Sequence, residues 1–264
     1  MTVIATGTKV RHPLAARRLT VSRVEDLSTH LRRVHLTGPD LAGFVALGPT
    51  DHVKVFFPDA AGAVRLPHVA DGHWLDRDGG HTARDYTVRT FRTELVLDMV
   101  VHPHGPAGRW AAQAAAGQQL GILGPRSSSL RPLDRPWYLL AVDETGLPAT
   151  ANWLDRLPDA TPVHVLAEVD GPDDHLPLTH PRLHVTWLHR AGAEPGTTTL
   201  LPDAVADLLG HLAPTGAGFV FAAGEVTSMR AVREQTRAHG VAGAAVTSYW
   251  RRGVANFDHH SPDA

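Results

Sequence analysis

Arg84-Asp85-Tyr86-Thr87-Val88-Arg89 brings two guanidinium groups, a phenol and a hydroxyl into six residues. On a strand, Arg84, Tyr86 and Val88 project to one side, and Thr87 and Arg89 to the other. A bulge or a strand end would turn both sets on one ligand. Such a set suits a flavin nucleotide. An aromatic ring packs on the isoalloxazine or ribityl, a hydroxyl bonds N5 or O4, and an arginine pairs with phosphate. The same hexapeptide could equally form a solvated strand face, so it does not decide the matter alone.

A second segment runs from His102-Pro103-His104-Gly105-Pro106-Ala107-Gly108-Arg109-Trp110 into Ala111-Ala112-Gln113-Ala114-Ala115-Ala116-Gly117. Proline near the start and glycine past the end bracket a short alanine-rich helix, expected to begin at Pro106 and stop before Gly117. Its free N–H groups and small entrance residues would let a pyrophosphate approach the backbone. A helix capped in this way could also bind nothing. His102 and His104, separated by one proline and without a nearby carboxylate, make a poor metal site.

Four further segments are weaker. Leu120 to Leu123 reads as a strand running through Gly124-Pro125-Arg126 into the turn Ser127-Ser128-Ser129, or simply into a linker. Asp143-Glu144-Thr145-Gly146 and Ala223-Gly224-Glu225 each follow an apolar run, where open parallel sheets bind ligands. Ser248-Tyr249-Trp250-Arg251-Arg252-Gly253 sets two aromatic rings before two arginines. That arrangement could cover a flavin face and meet an anion, or could simply end a strand.

The elements that must position these groups change rhythm halfway along the chain. Residues 18–24, 31–36, 51–57, 86–92 and 94–101 are short, β-branched or aromatic runs, the last two forming a hairpin across Arg92-Thr93-Glu94. They predict an antiparallel β-barrel, with 67–82 as a loop on it. After about residue 131, apolar strands at 137–142, 163–168, 183–188, 219–223 and 244–250 alternate with helices at 147–157, 200–212 and 227–239. That pattern predicts a doubly wound α/β domain with a parallel sheet. The expected domains are therefore 1–130 and 131–264, joined within the Ser-, Pro- and Arg-rich stretch 126–136.

Composition sets the outer bounds. The 264 residues contain no cysteine, which excludes disulfides, a thiol nucleophile, a Cys-ligated iron–sulfur cluster and a haem thiolate. Electron transfer would need an organic cofactor. The net charge of −2 gives no overall attraction for nucleic acid or an anionic membrane, so an anionic ligand must meet a local basic patch. No apolar run reaches the ~18 residues of a membrane span. Met1–Gly7 lacks the charged start and apolar stretch of a secretory leader. These features predict a cytoplasmic protein.

In order and spacing, the six segments together resemble the siderophore-interacting protein family, within the ferredoxin-reductase-like flavoproteins. The resemblance runs from about Arg17 to Gly253. It implies a flavin-binding barrel followed by a nucleotide-binding α/β domain. It also implies FAD as cofactor, NADPH or NADH as electron donor, and reduction of a ferric siderophore from Fe(III) to Fe(II). Carried over residue by residue, it assigns Arg84, Asp85, Tyr86 and Thr87 to the flavin and its phosphates. Val101, His102, Gly105, Pro106, Ala107, Gly108 and Trp110 fall to the ribityl and pyrophosphate. Asp143, Thr145 and Trp250 are placed near the flavin or the crevice. A basic set of Lys54, Arg126 and one of Arg251 or Arg252 would receive the anionic chelate. Gly108 stands where many relatives carry serine, and Ser127 where glycine is common. A ferredoxin donor, a general flavin reductase and a non-catalytic siderophore- or flavin-binding module remain open alternatives, and a monomer is expected.

Overall fold

The computed structural model describes residues 7–77, 79–212 and 216–257; Met1–Thr6 of the segment read above for a leader lies outside them. The chain forms two compact units that meet in sequence between Arg131 and Pro132.

The first unit contains β1 (Thr8–Arg11), β2 (Ala16–Asp26), β3 (Leu31–Thr37), β4 (His52–Phe56), β5 (Val69–Ala70), β6 (His73–Trp74), β7 (Ala83–Phe91), β8 (Leu95–Val100), α1 (Gly105–Gln113), β9 (Gln119–Leu123) and β10 (Ser127–Leu130). Six of the strands close a barrel in the order β2-β3-β8-β7-β4-β9. Closure leaves no sheet edge, and period-two alternation then supplies the interior. Leu19 and Val21 of β2, Val53 and Val55 of β4, and Leu95, Leu97 and Met99 of β8 meet in one core. Helix α1 joins that core through Ala107, Trp110 and Ala111. The expected β7–β8 hairpin forms, with its register shifted between Val88 and Thr90.

Three expectations within this unit are corrected. Ser127-Ser128-Ser129 is not a turn or linker but part of β10, antiparallel to β1. Ser128 can leave solvent because its hydroxyl bonds both Asp51 and His12. The loop 67–82 carries its own small ribbon, β5 with β6, held by Asp76, which accepts from Trp74 Nε1 at 2.8 Å and from the His68 amide at 2.7 Å. Helix α1 ends at Gln113, four residues before Gly117. Ala114 leaves helical geometry (ψ 134°) and is drawn into the barrel core, while the Gly117 amide bonds Val21 of β2. Burial of Ala114 and capture of the following backbone by the sheet outweigh the helix propensity of the alanine run.

The second unit contains β11 (Tyr138–Val142), α2 (Leu147–Leu154), β12 (Val163–Val169), β13 (Leu183–His189), α3 (Leu200–Leu212), β14 (Phe219–Glu225), α4 (Val226–Ala238) and β15 (Gly243–Trp250). The sheet is parallel throughout, in the order β13-β12-β11-β14-β15. Strand β11 is buried on both faces, which is why its sequence is a continuous apolar run. Tyr138, Leu140 and Val142 pack towards Trp153 of α2. Leu139 and Ala141 pack towards Leu201, Val205 and Leu209 of α3 and Met229 and Val232 of α4. Burial of each such large side chain contributes about 1.5–3 kcal/mol. From β11 the chain winds outward to β12 and β13, then returns to the other side at β14. The crevice beyond the β11 and β14 carboxyl ends is thus the topological switch point. Among the described residues, no helix is long and apolar enough to cross a membrane.

Candidate functional site

In the barrel unit, strand register sorts the candidate side chains. Arg84 lies opposite Val55 and Tyr86 opposite Val53, both core residues, so these two belong to the inward-facing set. Tyr86 packs against the core, 6.3 Å from the Phe57 ring, and Phe57 lies 5.7 Å from Trp110 of α1. Burial raises the pKa of Tyr86, with Arg84 as a smaller opposing influence, so the phenol stays neutral and keeps its proton to donate. Asp85 belongs to the other face, directly opposite Lys54. The Lys54 ammonium meets both of its oxygens, at 2.8 and 2.9 Å. Thr87 is buried opposite His52. The register shift between Val88 and Thr90 marks a bulge at Arg89.

The entrance of α1 supplies the second wall. Val101 follows the end of β8, and its amide bonds His30. Gly105 adopts φ +72°, a region that favours glycine, and Pro106 follows it in the first turn. Gly108 is required for a different reason. A Cβ there would lie 2.4 Å from the His102 carbonyl oxygen and 2.6 Å from its ring, so the imidazole folds down onto the helix start. A serine at 108 would need His102 to move. His102 keeps an exposed edge, but the side against α1 is covered. That partial burial is the leading cause of its lowered pKa, followed by the charges of His104, Arg84 and Arg109. Burial also lowers the pKa of Arg84, against the pull of Tyr86 and Asp85. The guanidinium groups of Arg84 and Arg109 thus lie near a helix N-terminus beside an open glycine, which suits a polyanion such as pyrophosphate. Trp110 Nε1 is buried and makes no hydrogen bond among the described residues, so its donor is available to a ligand. The residues present therefore fit FAD.

Arg126 is exposed just past β9, where Leu123 pairs with Lys54 of β4, so both cations belong to one corner of the barrel.

In the sheet unit, the switch-point crevice is closed by its own side chains. Asp143, just past β11, accepts from the Thr145 amide at 2.9 Å and hydroxyl at 2.5 Å through one oxygen. Through the other it accepts from the Glu225 amide at 3.1 Å and from Trp250 Nε1 at 2.8 Å. Gly224 is small by necessity, since a Cβ there would lie 2.6 Å from that second oxygen. Burial, followed by the neighbouring Glu144 charge, pushes the Asp143 pKa up to about 6, against its hydrogen bonds. Trp250 is held into this crevice. Arg251 and Arg252 follow it, exposed; the Arg252 amide bonds Glu225 and its guanidinium lies 3.6 Å from Glu194.

Sequence reasoning missed Arg190 and Glu168. Arg190 forms a buried, two-pronged pair with Glu144 and lies 3.8 Å from Glu168, which also accepts from Thr198 at 2.9 Å. Burial opposes the Arg190 charge, but Glu144, Glu168 and Asp143 together hold its pKa above the ordinary value. The available signal was position: Glu168 near the end of β12 and Arg190 just past β13 both lie at strand carboxyl ends.

Two family models match in tandem, the siderophore-interacting FAD-binding domain over residues 20–129 and the siderophore-interacting protein over 135–253. The ferric vibriobactin reductase ViuB of Vibrio cholerae is 35% identical over 251 residues, covering 90% of each chain. An NADPH-dependent ferric-chelate reductase of Escherichia coli is 38% identical over 152 residues, covering 56% of this chain and 60% of that protein. Among solved structures, a siderophore utilization protein from T. fusca superposes with a TM-score of 0.89 at 40% identity, covering 96% of this chain and 99% of that one.

Proposed function

Because the chain belongs to the siderophore-interacting protein family, we propose that it is an FAD-dependent ferric-siderophore reductase that takes electrons from NADPH or NADH and acts as a cytoplasmic monomer. The observation that carries this reading is the cluster of Arg84, His102, His104 and Arg109 at the start of α1, inside the span matched by the FAD-binding domain. The chemistry supplied by bound FAD is conversion between the two electrons of a hydride and the single electron that Fe(III) accepts.

The side chains bind, orient and attract. Arg84 and the free amides of Gly105 and Ala107 hold the pyrophosphate, with His102 and Trp110 beside it. Tyr86 offers its ring, and Thr87 its hydroxyl, to the flavin. Thr145 and Trp250, both tied to Asp143, are held at the strand carboxyl ends of the sheet unit. Lys54, Arg126 and one of Arg251 or Arg252 draw in the negatively charged chelate. Reduction lowers the charge and hardness of the iron, so oxygen chelators release it.

The test is an anaerobic titration of the FAD-loaded full chain with NADPH and, separately, NADH. Loss of the oxidised-flavin absorbance with either is expected, followed by its return when a ferric siderophore is added and Fe(II) is trapped. Bleaching only by reduced ferredoxin would replace the donor. Bleaching by none of the three would favour a binding module. Recovery equally fast with free flavin and with the ferric siderophore would favour a general flavin reductase.

A further inference from the structure

We propose that Asp85 sets the charge selectivity of the anion subsite at Lys54; this rests on the reading of Lys54 and Arg126 as the corner that receives the ferric chelate. The two side chains are directly opposite on β4 and β7, and the Lys54 ammonium engages both carboxylate oxygens, at 2.8 and 2.9 Å. Both remain partly exposed, at 29% and 26% of the side chain, so the pair sits at the surface where a ligand arrives. One ammonium N–H is committed to Asp85 Oδ2 and the charge is paired with the carboxylate, while donor capacity remains for an incoming oxygen.

Arg126, from the same corner, is exposed and has no ion pair among the described residues. Lys54, Asp85 and Arg126 together sum to one positive charge, where the two cations alone would carry two, and Asp85 also acts on Arg84 beside it on β7. A neutral chelate feels little of this net charge, with or without Asp85. A multiply charged chelate can compete for the ammonium, but Asp85 repels it as it does so. The carboxylate therefore orients Lys54 and weakens its pull at the same time. This makes Asp85 a specificity-determining residue, separate from the phosphate-binding role that its place beside Arg84 suggests in the sequence.

The test measures dissociation constants for two ferric chelates on the FAD-loaded full chain: a tris-catecholate, which is a trianion, and a trihydroxamate, which is neutral. Asp85→Asn keeps the shape and removes the charge. Trianion affinity should rise on the order of tenfold at low ionic strength, with the gain shrinking as salt is added. Affinity for the neutral chelate should stay within twofold. Asp85→Glu, which keeps the charge, should behave like the wild type, and far-ultraviolet circular dichroism with a thermal melt shows that each variant is folded. The inference is overturned if Asp85→Asn leaves trianion binding unchanged or weaker, or shifts both chelates equally. If the wild type binds neither chelate, the functional reading fails and this inference fails with it.

Discussion

Arg84 and Gly108 act on the same entrance by different means. Arg84 supplies charge that burial makes costly without an anionic partner, whereas Gly108 supplies only the space that His102 fills. Arg84→Ala should purify colourless yet melt within a few degrees of the flavin-free wild type. Gly108→Ser should cost about 1–3 kcal/mol of stability from overpacking and reduce flavin content less than Arg84→Ala does. Flavin absorbance and a thermal melt on both variants separate the two roles. A yellow Arg84→Ala protein with full occupancy would refute the phosphate assignment. The sequence alone reads position 108 as a departure from a serine pattern. Only the coordinates show that the neighbouring histidine occupies the volume a side chain would need.

Asp143 joins three strands of the parallel sheet. It follows β11, bonds the end of β14 through the Glu225 amide, and bonds β15 through Trp250. With its pKa raised from 3.8 to about 6, the folded chain binds more protons than the unfolded chain between those values. Its contribution to stability therefore falls as pH rises through that window, and above it the buried charge is a net cost. Acidification from pH 7 to 5 should protonate Asp143 and weaken its bond to the Trp250 indole. The expected signal is a change in indole emission with a midpoint near pH 6 that is lost in Trp250→Phe. A pH-independent emission difference between wild type and Trp250→Phe would rule out this titration.

Across the whole molecule the charges nearly cancel, at 25 basic against 27 acidic residues, so long-range attraction of an anion cannot come from the chain average. It must come from exposed local cations such as Arg126 and Arg251. Affinity for a multiply charged ferric chelate should fall steeply between low and physiological salt, whereas flavin content stays constant over the same range. Exposed charges are screened over a Debye length of about 8–10 Å, and partly buried ones such as Arg84 much less. Equilibrium binding and flavin absorbance at several salt concentrations check this, and salt-indifferent chelate binding would argue against the basic corner.

The barrel, the parallel sheet and the start of α1 were legible in the sequence because period-two strands, continuous apolar runs and the Gly-Pro entrance are local patterns. So was the identity of the candidate groups: Arg84, Tyr86, His102 and Asp143 are recognisable by type and order. Local patterning could not show that Ser127–Leu130 pairs with β1, or that α1 stops at Gln113. It could not show that Asp85 meets Lys54, or that Arg190 closes on Glu144. Each of these depends on a partner tens of residues away in the chain. Strand register and burial bring such partners together, and a side chain's neighbours then determine whether its charge is free, paired or suppressed.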